Sequence, residues 1–111
     1  MDLNNKKFHT KENIVGLSSG ETTFQYFQDG DVITGHYSGG KILQGSLIGK
    51  KTSATEIELL YHCLTTDGEL LAGQSSGTVS VNTDNLLEIK YDWQWLNGNK
   101  TGGKSHYLEF K

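Results

Sequence analysis

Hydrophobic and polar residues alternate along most of this chain, and turns that contain glycine interrupt the alternation at nearly regular intervals. The clearest segment has an apolar and aromatic face, which carries Leu87, Ile89, Tyr91, Trp93 and Trp95. Its other face is polar and carries Glu88, Lys90, Asp92 and Gln94. Because successive side chains of a strand point to opposite faces, this period of two predicts a β-strand with one buried face.

Eight segments follow this pattern and are predicted to be strands. They cover about residues 6–10, 21–28, 31–38, 41–51, 56–65, 69–81, 86–96 and 103–110. The connections are too short for crossover helices, so neighbouring strands should run antiparallel. The chain contains no proline, so no strand is barred from central pairing. The sequence therefore predicts an all-β fold in a single domain over residues 1–111, an eight-stranded antiparallel up-and-down β-barrel.

The fifth segment, and the pair formed by the second and third segments, also bear on which residues face the interior. In the fifth segment the inward face should carry Ile57, Leu59, Tyr61 and Cys63. Pairing across the Asp29-Gly30 turn puts Phe24 and Tyr26 on one face with Ile33, Gly35 and Tyr37. Phe27 and Val32 on the other face leave open which of the two is interior. The fourth segment leaves two alternatives open, Ile42, Gln44, Ser46 and Ile48 against Leu43, Gly45, Leu47 and Gly49. The glycines within strands, Gly35, Gly45, Gly49 and Gly73, are expected to mark bends or bulges.

The predicted interior is rich in aromatic residues that also carry a polar group. Buried tyrosine and tryptophan usually need hydrogen-bond partners, and a core built only for packing would use more Leu, Ile and Val. We therefore predict a semi-polar, ligand-binding cavity. Its predicted residues are Tyr26, Tyr37, Tyr61, Tyr91, Trp93, Trp95, Ser105, Tyr107 and Glu109. The alternative is a barrel too small to be hollow, in which the same side chains only fill the interior.

Other candidate chemistry is sparse. His9, His36, His62 and His106 lack the spacing of a metal site, so no metal ligand is predicted. His62 and Cys63 are neighbours on a strand and point apart, so we expect Cys63 to be a small buried side chain and predict no catalytic residue.

The composition of the chain limits the classes of partner that the protein is expected to bind. The 111 residues include ten basic side chains, all lysine, and the formal net charge is −3. Without arginine, and without a basic cluster, we expect no nucleic-acid partner. No apolar stretch approaches a membrane span and the chain has a single cysteine, so we expect no membrane association and a cytoplasmic location.

Three groups of residues together resemble a family of small bacterial proteins. The first is Tyr37-Ser38-Gly39-Gly40 with Ile42, Gly45, Leu47, Ile48 and Gly49. The second is Tyr61, Gly68-Glu69-Leu70 and Gly73, and the third is Trp93-Gln94-Trp95 with Gly103 and Ser105. The chain resembles the avidin-like barrels (avidin/streptavidin-like, calycin type) that often carry the label "N-acetylglutamate synthase". The resemblance covers about residues 24–109 and implies the barrel fold, while no catalytic residue carries over.

The label would imply acetyl transfer from acetyl-coenzyme A, which normally uses a glycine-rich loop that opens a helix. The chain has no such loop, no helical pattern and no arginine, so we expect no cofactor and a non-catalytic barrel that binds an unknown small molecule. One alternative is an enzyme acting on a small metabolite, with Glu109 as acid or base. Another is a structural module that forms a homodimer through outward Leu43, Leu60, Leu64 and Leu86.

Overall fold

A computed structural model describes residues 2–13, 19–98 and 100–110, whose strands form one closed barrel. The strands are β1 (Lys6–Asn13), β2 (Thr23–Asp29), β3 (Val32–Gly39), β4 (Ile42–Lys51), β5 (Glu56–Thr65), β6 (Leu70–Val81), β7 (Leu87–Trp95) and β8 (Gly102–Phe110). Each pairs antiparallel with its neighbour in sequence, and β8 pairs with β1, so the two terminal strands cover each other's edges. The predicted eight-stranded antiparallel barrel is confirmed.

The observed strands begin and end within two residues of the predicted ones, except that β1 continues to Asn13. The register of β1 against β8 shifts between Thr10 and Glu12. Such a bulge interrupts the period of two, and the sequence pattern therefore ends the strand too early.

The same effect explains the ambiguous face of β4. Its register against β5 shifts between Ile42 and Gln44. Ile42 is buried before the shift, whereas Gly45 and Leu47 are buried after it. The inward side of β4 therefore combines residues from both predicted alternatives, because the bulge changes the phase of the alternation.

The two ends of the barrel differ. The end that carries the β2–β3, β4–β5 and β6–β7 connections, which we call the plugged end, also receives the N-terminal segment. Leu3 is fully buried there, its N–H donates to Gln28 Oε1 at 2.9 Å, and Gln28 N–H donates to Asn4 Oδ1 at 3.1 Å. The interior near this end is filled by Phe8, Ile33, Ile57, Val79 and Ile89, all buried. The opposite end, which carries the other four connections, is called the mouth end.

Three glycines let tyrosine rings lie directly against the sheet. Tyr37 is paired with Gly45 across β3 and β4, Tyr61 with Gly73 across β5 and β6, and Tyr91 with Gly77 across β6 and β7. A Cβ atom on any of the three glycines would come closer than 3.0 Å to the paired ring. The register runs unbroken through Gly35, Gly49 and Gly73, so no bulge lies at these positions, whereas the register of β3 against β4 shifts directly beside the Tyr37–Gly45 pair. Whether the strands bend at these glycines stays a prediction. At Gly45 and Gly73 the glycine is needed because the ring occupies the space of a side chain.

The outer wall carries scattered apolar side chains. Leu43 and Leu60 are 59% and 54% exposed, while Leu64 and Leu86 are only partly exposed. Ile48 lies opposite Leu60 on the neighbouring strand and is also exposed. Homodimer formation through this wall stays a prediction, which light scattering of the eluted protein would test. Among the described residues there is no helix long and apolar enough to span a membrane.

Candidate functional site

A cavity of about 60 Å³ lies inside the mouth-end half of the barrel. Its walls are formed by Phe24, Tyr26, Tyr37, Ile42, Leu47, Leu59, Tyr61, Ser75, Tyr91, Trp93, Trp95, Ser105 and Tyr107. Eight of the nine residues predicted from the sequence therefore meet around one space, and only Glu109 lies elsewhere. Whether these residues bind a ligand stays a prediction.

Five lining residues were not predicted: Phe24, Ile42, Leu47, Leu59 and Ser75. Phe24 and Leu59 lack the polar group on which the cavity prediction rests. Ile42 and Leu47 were hidden by the bulge in β4. Ser75 lies on β6 between Gly73 and Gly77. The inward positions of this segment are glycine and serine, so no alternation of apolar and polar residues shows which face is buried.

Aromatic rings pack against each other around much of the cavity. Phe24 stacks on Tyr37 with ring centroids 4.9 Å apart and lies 4.7 Å from Tyr107. On the other side Trp95 contacts both Tyr61 and Trp93 edge to face, at 5.5 and 5.9 Å. Such offset and edge contacts stabilise aromatic clusters and hold the rings in defined orientations. The rings therefore form a packed aromatic wall around much of the cavity.

Three of the tyrosine hydroxyl groups already form hydrogen bonds within the protein. Tyr26 OH and Tyr91 OH form a hydrogen bond of 2.6 Å, and Tyr37 OH donates to the His62 carbonyl oxygen at 3.1 Å. Burial raises the pKa of Tyr26, Tyr37 and Tyr91 well above the usual tyrosine value. The hydroxyls therefore stay protonated and uncharged throughout the physiological range.

The side chains of Trp93, Ser75 and Tyr61 also line the cavity, but their polar groups form no hydrogen bond within the described part of the chain. The Trp93 side chain is 9% exposed, and its Nε1–H is buried without a hydrogen-bond acceptor among the described residues. The hydroxyls of Ser75 and Tyr61 likewise make no hydrogen bond within the described part of the chain. Native proteins rarely leave a buried donor such as the Trp93 N–H unpaired. The hydroxyls of Ser75 and Tyr61 keep accessible surface, so a bound water or ligand can pair with them.

No member of the lining carries a charged side chain. Thr10 on β1 lies opposite the lining residue Tyr107 on β8. Its Oγ1 is also buried without a hydrogen-bond partner among the described residues. His106 Nε2 belongs to the outer wall, where it lies 3.3 Å from Glu88 Oε2 without hydrogen-bond geometry. The cavity is thus aromatic, hydroxyl-bearing and electrically neutral.

Glu109 faces the interior but at the plugged end, away from the cavity. It is 4% exposed, its Oε1 accepts a hydrogen bond of 2.9 Å from the Leu87 N–H, and its Oε2 lies 3.5 Å from Lys6 Nζ. These contacts tie the ends of β1, β7 and β8 together. The structure therefore does not bring Glu109 to the predicted ligand site and gives it a structural position instead.

Replacing Glu109 should destabilise the barrel without altering the cavity. We expect Glu109→Ala to lower the free energy of unfolding by about 2–4 kcal/mol, since it leaves the Leu87 N–H unpaired and Lys6 without its carboxylate. Glu109→Gln keeps an oxygen for Leu87 and should cost roughly 1 kcal/mol. Urea denaturation would measure both, with Glu58→Ala at an exposed ion pair as control. Unchanged stability in Glu109→Ala would contradict this role.

Cys63 and the histidines take no part in the cavity lining. Cys63 is buried, and burial raises the pKa of its thiol, while His62 lies exposed on the opposite face of β5. Within the described residues no group of three or more His, Cys, Asp or Glu side chains is arranged to hold a metal ion. Cys63 is thus placed as a small buried side chain.

The fold and the interior cavity define a small closed β-barrel with one candidate binding site at its mouth end. The family model described as "Avidin-like protein" matches residues 1–110. The chain belongs to this family. No curated protein and no solved structure matches the chain significantly.

Proposed function

We propose that the protein is a non-catalytic barrel that binds a small molecule in the cavity at its mouth end. The observation that carries the proposal is the combination of packed aromatic walls with the unpaired hydroxyls of Ser75 and Tyr61 in that cavity. Ligand sites typically combine apolar and aromatic walls with a few polar groups that orient the ligand. An eight-stranded barrel is the size that holds either side chains or one small ligand.

The division of the interior supports this proposal. Leu3, Phe8 and Ile89 are fully buried at the plugged end, whereas the mouth-end half contains a cavity between tyrosine and tryptophan rings. If the aromatic residues served only for packing, the same volume would be closed more simply by aliphatic side chains. The unpaired hydroxyls of Tyr61 and Ser75 at this cavity fit a ligand there.

The absence of catalytic function is supported by the chemistry of the lining. The enzyme alternative needed Glu109 in the cavity, but Glu109 is engaged by Leu87 and Lys6 at the other end. The remaining lining groups are hydroxyls, indoles and hydrocarbon side chains. The tyrosine hydroxyls are poor bases and poor acids at neutral pH because burial raises their pKa. A cytoplasmic location is part of this proposal, supported by the buried free thiol of Cys63.

A pair of neighbouring serines on β6 provides the test. Ser75 faces the cavity and Ser76 faces the solvent. Ser75→Leu should fill the cavity and abolish the stabilisation that a ligand provides, while Ser76→Leu should leave it intact. The measurement is a thermal-shift screen of small metabolites with native mass spectrometry of the gently purified protein, since a ligand that binds the folded state raises the melting temperature. Equal ligand response in the two variants would place binding outside the cavity.

A further inference from the structure

The walls of the cavity are not uniform. The free hydroxyl of Tyr61, the free hydroxyl of Ser75 and the unpaired indole N–H of Trp93 belong to the adjoining strands β5, β6 and β7. Ser75 and Trp93 are direct cross-strand partners, so their Cβ atoms lie roughly 5 Å apart on the same inward face. Tyr61 is connected to this pair through Trp95, whose ring lies 5.5 Å from that of Tyr61. One side of the cavity thus gathers the free polar groups.

The opposite side, formed by β2, β3 and β4, presents rings and aliphatic groups. Phe24 and Tyr37 stack there, with Ile42 and Leu47 beside them. The hydroxyl of Tyr37 is directed to the His62 carbonyl oxygen and is therefore already satisfied. A ligand in the cavity would meet hydrogen-bond donors on one side and apolar surface on the other.

All the free groups on the polar side are donors, and none is charged. An indole N–H can only donate, and a hydroxyl that has no partner can donate as well as accept. Such a wall matches the acceptor of a ligand, such as a carbonyl oxygen. A carboxylate is also an acceptor, but the lining holds no cation to compensate its charge, and burying an unpaired charge is costly.

The raised pKa values of the buried tyrosines indicate that a negative charge is unfavourable in the interior. Burial raises the pKa of Tyr26, Tyr37 and Tyr91, which means that a phenolate at these positions is strongly disfavoured. The same loss of hydration would act on a carboxylate placed among these rings.

The volume of the cavity limits the size of what it can hold. One water needs about 10–15 Å³ of such space, and an engineered cavity of about 150 Å³ in another protein holds benzene. At about 60 Å³ the space here accommodates several waters or a group with a few heavy atoms. The ligand, or the part of it inside the barrel, is therefore smaller than a benzene ring.

From these observations we infer that the cavity takes an uncharged group of a few heavy atoms, with a carbonyl-type acceptor facing the hydroxyls of Ser75 and Tyr61 and an apolar edge facing Phe24, and that it excludes carboxylates of the same shape. This inference rests on the proposed function. It separates the site from the acidic substrates and products that acyl transfer to glutamate would involve.

Matched amides and carboxylates test the inference on the unaltered protein. Acetamide and propionamide would be titrated against acetate and propionate at neutral pH, with the side-chain indole N–H resonances followed by nuclear magnetic resonance. Trp93→Phe identifies which of the two indole signals belongs to Trp93. We expect the amides to shift the Trp93 signal and to bind at least about tenfold more tightly than the carboxylates, which corresponds to about 1.4 kcal/mol.

Neighbouring serines again supply the matched variants. Ser75→Ala should weaken propionamide binding about three- to tenfold through the loss of one hydrogen bond, and Ser76→Ala should not change it. Carboxylates that bind as tightly as the amides, or amides that bind without moving the Trp93 signal, would overturn the inference and leave the proposed function standing. If neither series binds but the metabolite screen finds a cavity ligand, the inference alone is wrong. If the screen also finds none, the proposed function fails with it.

Discussion

Raising the pH from 9 to 11 is expected to remove about 4 kcal/mol of stability through three buried tyrosines. Tyr26, Tyr37 and Tyr91 are each at most 5% exposed, and burial raises the pKa of all three above the value they have when unfolded. The unfolded chain therefore loses these protons near pH 10 while the folded barrel keeps them. Because the unfolded state then binds fewer protons, stability is full below pH 10 and falls as the pH rises further.

Each of the three tyrosines contributes up to about 1.4 kcal/mol for a pH unit in this range. Tyr61 also has a raised pKa through burial, but its ring is only partly buried and its contribution is smaller. Urea unfolding at pH 9, 10 and 11 would measure the loss, and ultraviolet absorbance would show when phenolate forms. Tyr37→Phe should reduce the slope by roughly a third, at a cost of about 1 kcal/mol at neutral pH for the lost bond to His62. Phenolate formation near pH 10 in a barrel that stays folded would contradict the expectation.

Which side chains are buried in the barrel could be predicted from the sequence only in part. Alternation assigned Tyr91 and Trp93 to the interior because β7 keeps an unbroken period of two along its whole length. In β4 the alternation failed because one bulge changes its phase, and a bulge of this kind leaves no distinct mark in a strand that mixes glycine, serine and leucine. Faces were therefore predictable wherever the register is regular.

Position along the barrel axis was not predictable from alternation. Ser105, Tyr107 and Glu109 share the inward face of β8, but each step of two residues advances about 6.6 Å along the strand. Ser105 and Tyr107 consequently reach the cavity, whereas Glu109 reaches the plugged end and its partners Lys6 and Leu87. Knowing which face a residue lies on did not determine the layer of the interior to which it contributes.

The role of the strand glycines depends on register as well. Gly45 and Gly73 were predicted as bends because glycine in a strand often marks one. Each turns out to lie directly opposite a tyrosine, and this relation appears only when the cross-strand partners are known. A hairpin alignment that placed tyrosine against glycine would have been the signal.

These pairs produce the second large effect, which we expect at Gly77. Gly77→Ala should lower the free energy of unfolding by about 2–3 kcal/mol, because the new methyl group would overlap the Tyr91 ring. That ring is held in place, since Tyr91 is buried and its hydroxyl is bonded to Tyr26 at 2.6 Å. Gly73→Ala should cost less, because the partly buried Tyr61 ring can swing aside. Gly20→Ala is the matched control, since a Cβ there meets no atom within 4 Å.

A double-mutant cycle isolates the ring as the cause. In a Tyr91→Leu background the space over Gly77 should no longer be filled by the ring, so adding the methyl group should cost less than about 1 kcal/mol. Urea denaturation of the four proteins gives the coupling directly, and Gly20→Ala should stay within about 0.5 kcal/mol of the original protein. An equal penalty for Gly77→Ala with and without the Tyr91 ring would mean that glycine is required at this position by its backbone and not by the aromatic wall. The aromatic rings and the glycines opposite them would then have to be explained separately, and a change in one would not require a change in the other.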